Sequence, residues 1–376
     1  MRTIRIALSI GGVAAMVVAA TAGVGHATGR AAPCAVPSAL YPTIQSAVTA
    51  PTCAIVKVAP GNYTENVAAA RSVTISGAQA GKDARSRRGT GESVLTGNFS
   101  LAADNITIDG FTLNGPPGDG TAAFVMQGGN SGDTIQNNIV NNTGKAASIT
   151  TSRSVFRRNV VKNTSTATDG FQGNSSAIHE VTISENRFSG ANPAIYNADV
   201  TFIEGSSDLT VSSNQSTGDG TLVALFATTN GRVLNNTIVG AANSSAVYIG
   251  GENGKITVTG NTISSAGSGV QVTVYPGRGK NSGPVGISGN TLRNNQYGVK
   301  VAAGSTTSVV QVTHNSITGN SAYGVFNDPA SGASTNATCN WWGAIAGPGS
   351  PRGDKASTGV TYKPWLLLPV LSGICR

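Results

Sequence analysis

Apolar residues in this chain alternate with polar ones over runs of four to six and then break at Gly or Asn. The segment 286–301, GISGNTLRNNQYGVKV, shows the unit: two short alternations, an Asn between them, and Gly-Val nine residues later. Alternation with period two marks half-buried strands and excludes helical repeats. The unit recurs as NNIVNN, RNVVKN, ENRFSG, SNQSTG, NNTIVG, GNTISS, GNTLRN, HNSITG and CNWWG. Its markers are Asn138, Asn159, Asn186, Asn214, Asn236, Asn261, Asn290, Asn315 and Asn340, with gaps of 21, 27, 28, 22, 25, 29, 25 and 25. A period of roughly 20 to 30 residues predicts a stacked repeat, each unit being one coil of strands. At ~4.8 Å per parallel strand, the eight intervals make a rod of roughly 38 Å. The Asn residues are expected to form a structural ladder, taking the left-handed backbone of a sharp turn and bonding amide to amide along the stack.

The ends of the pattern differ. Residues 43–50 predict a helix with Ile44, Ala47 and Val48 on one face, suited to plugging the first coil. At the far end Trp341, Trp342, Trp365 and the run 366–368 can cover the last coil against exposed strand edges. A sugar platform is the alternative for Trp341 and Trp342.

Three stretches resemble known proteins. YPTIQSAVTAPTCAIVKVAPGNYTENV is similar to a capping helix and first strand; the Asn coils follow; and NATCNWWGAIAGPGSP with VTYKPWLLLP resembles a closing segment. Together they resemble the right-handed parallel β-helix repeat proteins of the pectin lyase-like superfamily, exported bacterial type. The resemblance implies an all-β, single-stranded right-handed parallel β-helix of about ten coils. An N-terminal capping helix (42–75 with the first coil) and a Trp-rich C-terminal cap (336–376) would close it.

Composition shifts the picture toward export. Of 376 residues, 39% are hydrophobic, 11% charged and 5% aromatic, with 49 Gly and a net charge of +8. The apolar share favours an ordered chain over the disorder that Gly and Ser enrichment alone would suggest. Residues 1–27 read as a signal peptide: Arg2 and Arg5, an apolar run over 6–24, then Gly25-His26-Ala27. An uncleaved anchor is the alternative reading, and no later segment is long and apolar enough to span a bilayer. The mature part, 28–376, is then a secreted, extracellular domain. There Cys34 and Cys53 group at one end and Cys339 and Cys375 at the other. Export and this grouping favour two local disulfides. A zinc site is the alternative, but no CxxC or paired His spacing supports it. We expect no metal site, a monomer, and no nucleic-acid partner, because no binding motif accompanies the charge. The charged insertion 82–92 reads as a mobile loop.

Candidate chemistry follows from the alternation. Nine to eleven residues after each Asn come AIY, ALF, AVY, GVQ, GVK and GVF, whose third residue should point outward. The expected ligand-binding column is Tyr196, Phe226, Tyr248, Gln271, Lys300 and Phe326, preceded by Met126, Thr150 and Gln172. The resembled family uses this flank as a polysaccharide groove, which implies a polysaccharide partner, acidic if the basic residues Lys145, Arg153, Arg157, Arg158, Lys162 and Arg187 steer it. Longer loops at 165–176, 197–207 and 275–283 border the column.

For catalysis, Asp119, Asp169 and Asp219 precede Gly just before the outward strand, and Glu204 follows Asp199. A tight turn explains Asp-Gly as well. Glycoside hydrolysis needs two carboxylates, so Asp169, Glu204 and the cation Arg187 form the expected catalytic set, with calcium a possible cofactor. DVTFIEG resembles a pectin methylesterase segment with its order changed, and the Asp-Asp and Gly-His-Gly of polygalacturonases are absent. The sequence therefore leaves open a polysaccharide-binding β-helix, a lyase or hydrolase, and a structural or adhesive envelope-associated rod.

Overall fold

In the computed structural model the described residues are 32–116, 121–141, 143–162, 169–189, 198–218, 220–369, 371, 373 and 375. The expected signal peptide, Asp119, Tyr196 and Asp219 lie outside them. Among the described residues every strand pairing is parallel, in three long sheets of fourteen, eleven and eleven strands. The chain visits the sheets in turn, as in Thr210–Ser212, Gln215–Thr217 and Thr221–Leu225, and each strand then pairs with its equivalent one coil on. The solenoid has about twelve turns rather than about ten, because coils before Asn138 that lack the marker Asn still contribute full sets of strands.

The alternation decides what is inside. In the first sheet Ile75, Ile108, Ile135, Phe156, Ile183, Val211, Val233, Val258 and Ile287 stack as register partners, all fully buried. Burying one such side chain contributes about 2 kcal/mol, so each coil is held mainly by its inward residues. Ser216 interrupts the equivalent column of the second sheet between Phe188 and Ile238, and its hydroxyl donates to the buried Asp199 carboxylate at 2.6 Å.

The turn after each first-sheet strand carries the marker Asn. The backbone N–H and Nδ2 of each Asn both donate to Oδ1 of the next one, at 2.8–3.2 Å, from Asn138 through Asn159, Asn186, Asn214, Asn236, Asn261, Asn290 and Asn315 to Asn340. Nδ2 also reaches back to a carbonyl of the preceding coil, as Asn236 does to Val211 at 3.0 Å. The left-handed backbone is not on these residues. It falls on the residue before each one: Asn137, Arg158, Glu185, Ser213, Asn235, Gly260, Gly289, His314 and Cys339. A ladder needs the amide aimed along the stack, so the neighbour takes the positive φ. Two shorter ladders join Asn253 to Asn281, and Asn295 to Asn320, the second ending on the buried Asp354 carboxylate.

At the start, Ile44–Thr49 is a helix because Thr43 and Ser46 form a capping box, Glu65 accepts from the N–H groups of Ile44 and Gln45, and Arg71 donates to the carbonyls of Val48, Ala50 and Cys53. An anion at the N-terminal end and a cation at the C-terminal end both suit the helix dipole. Ile44, Ala47 and Val48 are buried. At the other end Trp342 is fully buried against Tyr362, which rules out a sugar platform for it, and Tyr362 packs on Trp365. Of the run 366–368 only Leu366 is buried. Disulfides join Cys34 to Cys53 and Cys339 to Cys375.

The insertion 82–92 is docked rather than free. Arg85 pairs with Asp83 and reaches Glu185, which also binds Arg158. Arg88 buries its side chain, pairs with Glu92 at 3.2 Å and donates to the Asn137 carbonyl at 2.8 Å. A loop from an early coil is thereby tied to the turns of two later ones, at Asn137 and Glu185.

Candidate functional site: the outer face of the third sheet

Strands of the third sheet do not alternate strictly. Tyr297–Val301 and Tyr323–Asn327 have two consecutive buried residues between outward ones. The bend turns Gly298 and Val299 inward together, so outward residues stand three apart and form two rows. One row is Gln172, Thr201, Ala224, Tyr248, Gln271, Lys300 and Phe326, successive register partners. The other holds Ala198, Thr221, Ser245, Ser268, Tyr297 and Tyr323. The second row was missed because strict alternation was assumed; the repeated Tyr-Gly-Val at 297 and 323 was its available signal.

The expected column needs correction at its earlier coils. Tyr248, Gln271, Lys300, Phe326 and Gln172 do share a row. Phe226 lies two residues beyond it, the row position being Ala224. Phe226 is only 9% exposed: Tyr248 and Tyr275 pack on it, and the Arg278 guanidinium sits 5.3 Å above its ring. It also covers Gly250, where any Cβ would overlap the ring. Arg278 bonds Glu252 at 3.0 Å and the Ile203 carbonyl at 2.6 Å, pinning the 275–283 insertion beside the face. Met126 belongs to the core, and the row passes through Val125 and Ser148 rather than Met126 and Thr150.

The expected catalytic set is not brought together. Asp169 stands at the entry to Phe171–Gly173, whereas Glu204 follows Ala198–Phe202; Phe171 pairs with Val200, so the two carboxylates lie at opposite ends of their strands. Six residues of extended chain span about 20 Å, beyond the ~5 to 9.5 Å that glycosidic chemistry uses. Arg187 is on the second sheet, donating to Gln215 at 3.3 Å. Asp169 is buried, accepting from Ala198 N at 2.9 Å, Thr201 Oγ1 at 2.7 Å and Gln172 Nε2 at 2.9 Å, while Lys145 donates to the Gln172 amide oxygen. Burial raises its carboxyl above the usual range, against the pull of these donors. With its oxygens engaged this way, Asp169 organises the outer face. Among the described residues no three His, Cys, Asp or Glu side chains gather to hold a metal.

Further along the face the rows frame a depression of about 210 Å³, lined by Asn243, Ser245, Ser268, Gln271, Tyr297 and Lys300 among others. Tyr297 stacks parallel on Tyr323 at 6.3 Å, Phe326 closes on both rings, and the Lys300 ammonium lies 5.0 Å from the Tyr297 ring centre. Hydroxyls, amides, one cation and an aromatic edge thus share one cleft.

Two stretches, 122–278 and 203–339, match the family model described as the right handed beta helix region, and together they cover more than half of the chain. The chain belongs to this family. Its fold is accordingly a right-handed parallel β-helix. No curated protein matches this β-helix. Among solved structures it is similar to the A-module of a mannuronan C-5 epimerase from Azotobacter vinelandii, at 16% identity and TM-score 0.59, over 82% of this chain and 91% of that one. It is also similar to the catalytic domain of a GH87 α-1,3-glucanase in complex with tetrasaccharides, at 15% identity and TM-score 0.53, over 88% of this chain and 68% of that one. At these identities the likeness is one of fold. Among the described residues no helix is long and apolar enough to cross a membrane.

Proposed function

We propose that this β-helix is an exported protein that binds an extended polysaccharide along the outer face of its third sheet. The observation that carries the reading is the pair of outward rows meeting at the cleft of Ser268, Gln271, Tyr297 and Lys300. A sugar presents hydroxyls around its rim and weakly polar C–H faces, which suit amide and hydroxyl partners beside aromatic rings. Thr201 and Ala224 are buried, but from Tyr248 through Gln271 and Lys300 to Phe326 the row stays partly exposed and offers a chain one contact per coil at ~4.8 Å. The names of the two similar structures, a mannuronan epimerase and a glucanase with tetrasaccharides, support a carbohydrate partner. The two disulfides support an oxidising, extracellular location. Binding, not bond cleavage, is the reading, since Asp169, Glu204 and Arg187 do not converge.

The test is affinity measurement of residues 28–376 against neutral and acidic polysaccharides, with and without calcium, following reducing ends and unsaturated-uronate absorbance in parallel. Binding without turnover is expected, and Tyr297→Ala with Tyr323→Ala should weaken it about tenfold, two lost aromatic contacts at roughly 0.5–1.5 kcal/mol each. Turnover would make the protein an enzyme, and binding indifferent to both tyrosines would move the site elsewhere.

A further inference from the structure

Building on the polysaccharide reading, we propose that the cleft beside Lys300 receives an anionic side group or branch sugar projecting from the bound chain, and that Lys300 sets this preference. The cleft is displaced from the row that would carry the main chain. Its floor is Ser245 and Ser268, of the other row, and its far wall comes from Asn243 and Gln296 in the loops that precede the strands. Only Gln271 and Lys300 border both the row and the cleft. A group occupying it therefore extends sideways from a chain lying on the row. A volume of about 210 Å³ is on the scale of a single sugar unit and too short for a segment of polymer.

The lining also selects charge. Among the described residues no carboxylate lines the cleft and none pairs with Lys300. The other polar groups are neutral: Ser245 already donates to the Gln271 amide oxygen at 2.5 Å, which leaves the Gln271 NH2 as a donor toward the cleft. The Lys300 ammonium is held over Tyr297, at the cleft's edge rather than swinging in solvent. A carboxylate or sulfate entering beside it gains a charge-assisted hydrogen bond that a neutral sugar cannot make.

The probe is a β-glucan bearing single glucuronate branches, compared with the same polymer after its carboxyl groups are reduced to alcohols, and with linear polygalacturonate. The branched acid should bind about tenfold tighter than both, a factor typical of one such bond. Lys300→Gln should erase the difference, Lys300→Arg should keep most of it, and the preference should shrink with added salt. Equal binding of branched acid and reduced polymer, or a preference that survives Lys300→Gln, overturns the role of Lys300. Linear polygalacturonate binding as tightly as the branched acid overturns the branch assignment. Failure of every polymer to bind instead defeats the underlying polysaccharide reading.

Discussion

At the scale of single residues, the marker Asn does what few side chains can: it accepts two hydrogen bonds and donates two, all inside the wall of the solenoid. Asn236→Ala would leave the backbone N–H and Nδ2 of Asn214 without their acceptor and remove the side-chain donor to the Val211 carbonyl. Buried groups stranded in this way cost ~1 to 3 kcal/mol each. We expect a loss of about 3 kcal/mol or more in denaturant unfolding, against less than about 0.5 kcal/mol for the exposed Asn62; equal shifts would strip the ladder of its role. Asp133 makes a second residue-scale case. It is fully buried and accepts from Ile106 N at 2.9 Å, and burial lifts its carboxyl to about 6. A carboxyl raised in the folded state favours the protonated form, so its stabilising contribution is complete below pH ~4 and is lost as pH rises through 6. Asp133→Asn should therefore flatten the fall in melting temperature between pH 4 and 7 and raise stability at pH 8. Asp169 and Asp354 are raised by burial too, so some slope should persist. An unchanged slope would show that Asp133 titrates normally.

At the scale of strands and turns, what the sequence made legible follows its periodicity. Short alternating runs and Asn spaced 21 to 29 apart were enough to infer the coils and their stacking. The placement of Phe226 was not, and the reason is physical. A slip of two residues preserves which side chains face in and which face out, so Ala-Leu-Phe at 224 and Ala-Val-Tyr at 246 look equivalent although Ala224 pairs with Tyr248. The row of Ser245, Ser268, Tyr297 and Tyr323 was hidden by a bend that alternation does not encode. The docking of 82–92 rests on Arg85 and Glu185, a hundred residues apart, and no local pattern announces such a pair. Asp169 and Glu204 sat on neighbouring coils as expected, but coil number says nothing about position along the strand.

Across the whole molecule, contacts run almost entirely between successive coils, so stability is close to a sum of neighbour terms. A disulfide in such an object should act locally. Replacing Cys34 and Cys53 by Ser removes the link between the first strand, Cys34–Val36, and the segment after the helix, a loss of about 2 to 4 kcal/mol. Amide exchange should quicken at Cys34–Val36 and Ile55–Val58 while Ser245–Ile249 keeps its protection. Uniform acceleration along the chain would mean that the coils unfold as one unit instead.

The ladder has a consequence for heredity as well as for folding. Each Asn offers its neighbours the same four bonds, so joining residue 235 directly to 261 would let Asn214 meet Asn261 as it now meets Asn236. Recombination between repeats can thus add or remove a coil without inventing a new contact. Each such event would change the length of the outer face by one step of ~4.8 Å, leaving the gene to set the reach of the protein along its ligand in whole-number increments.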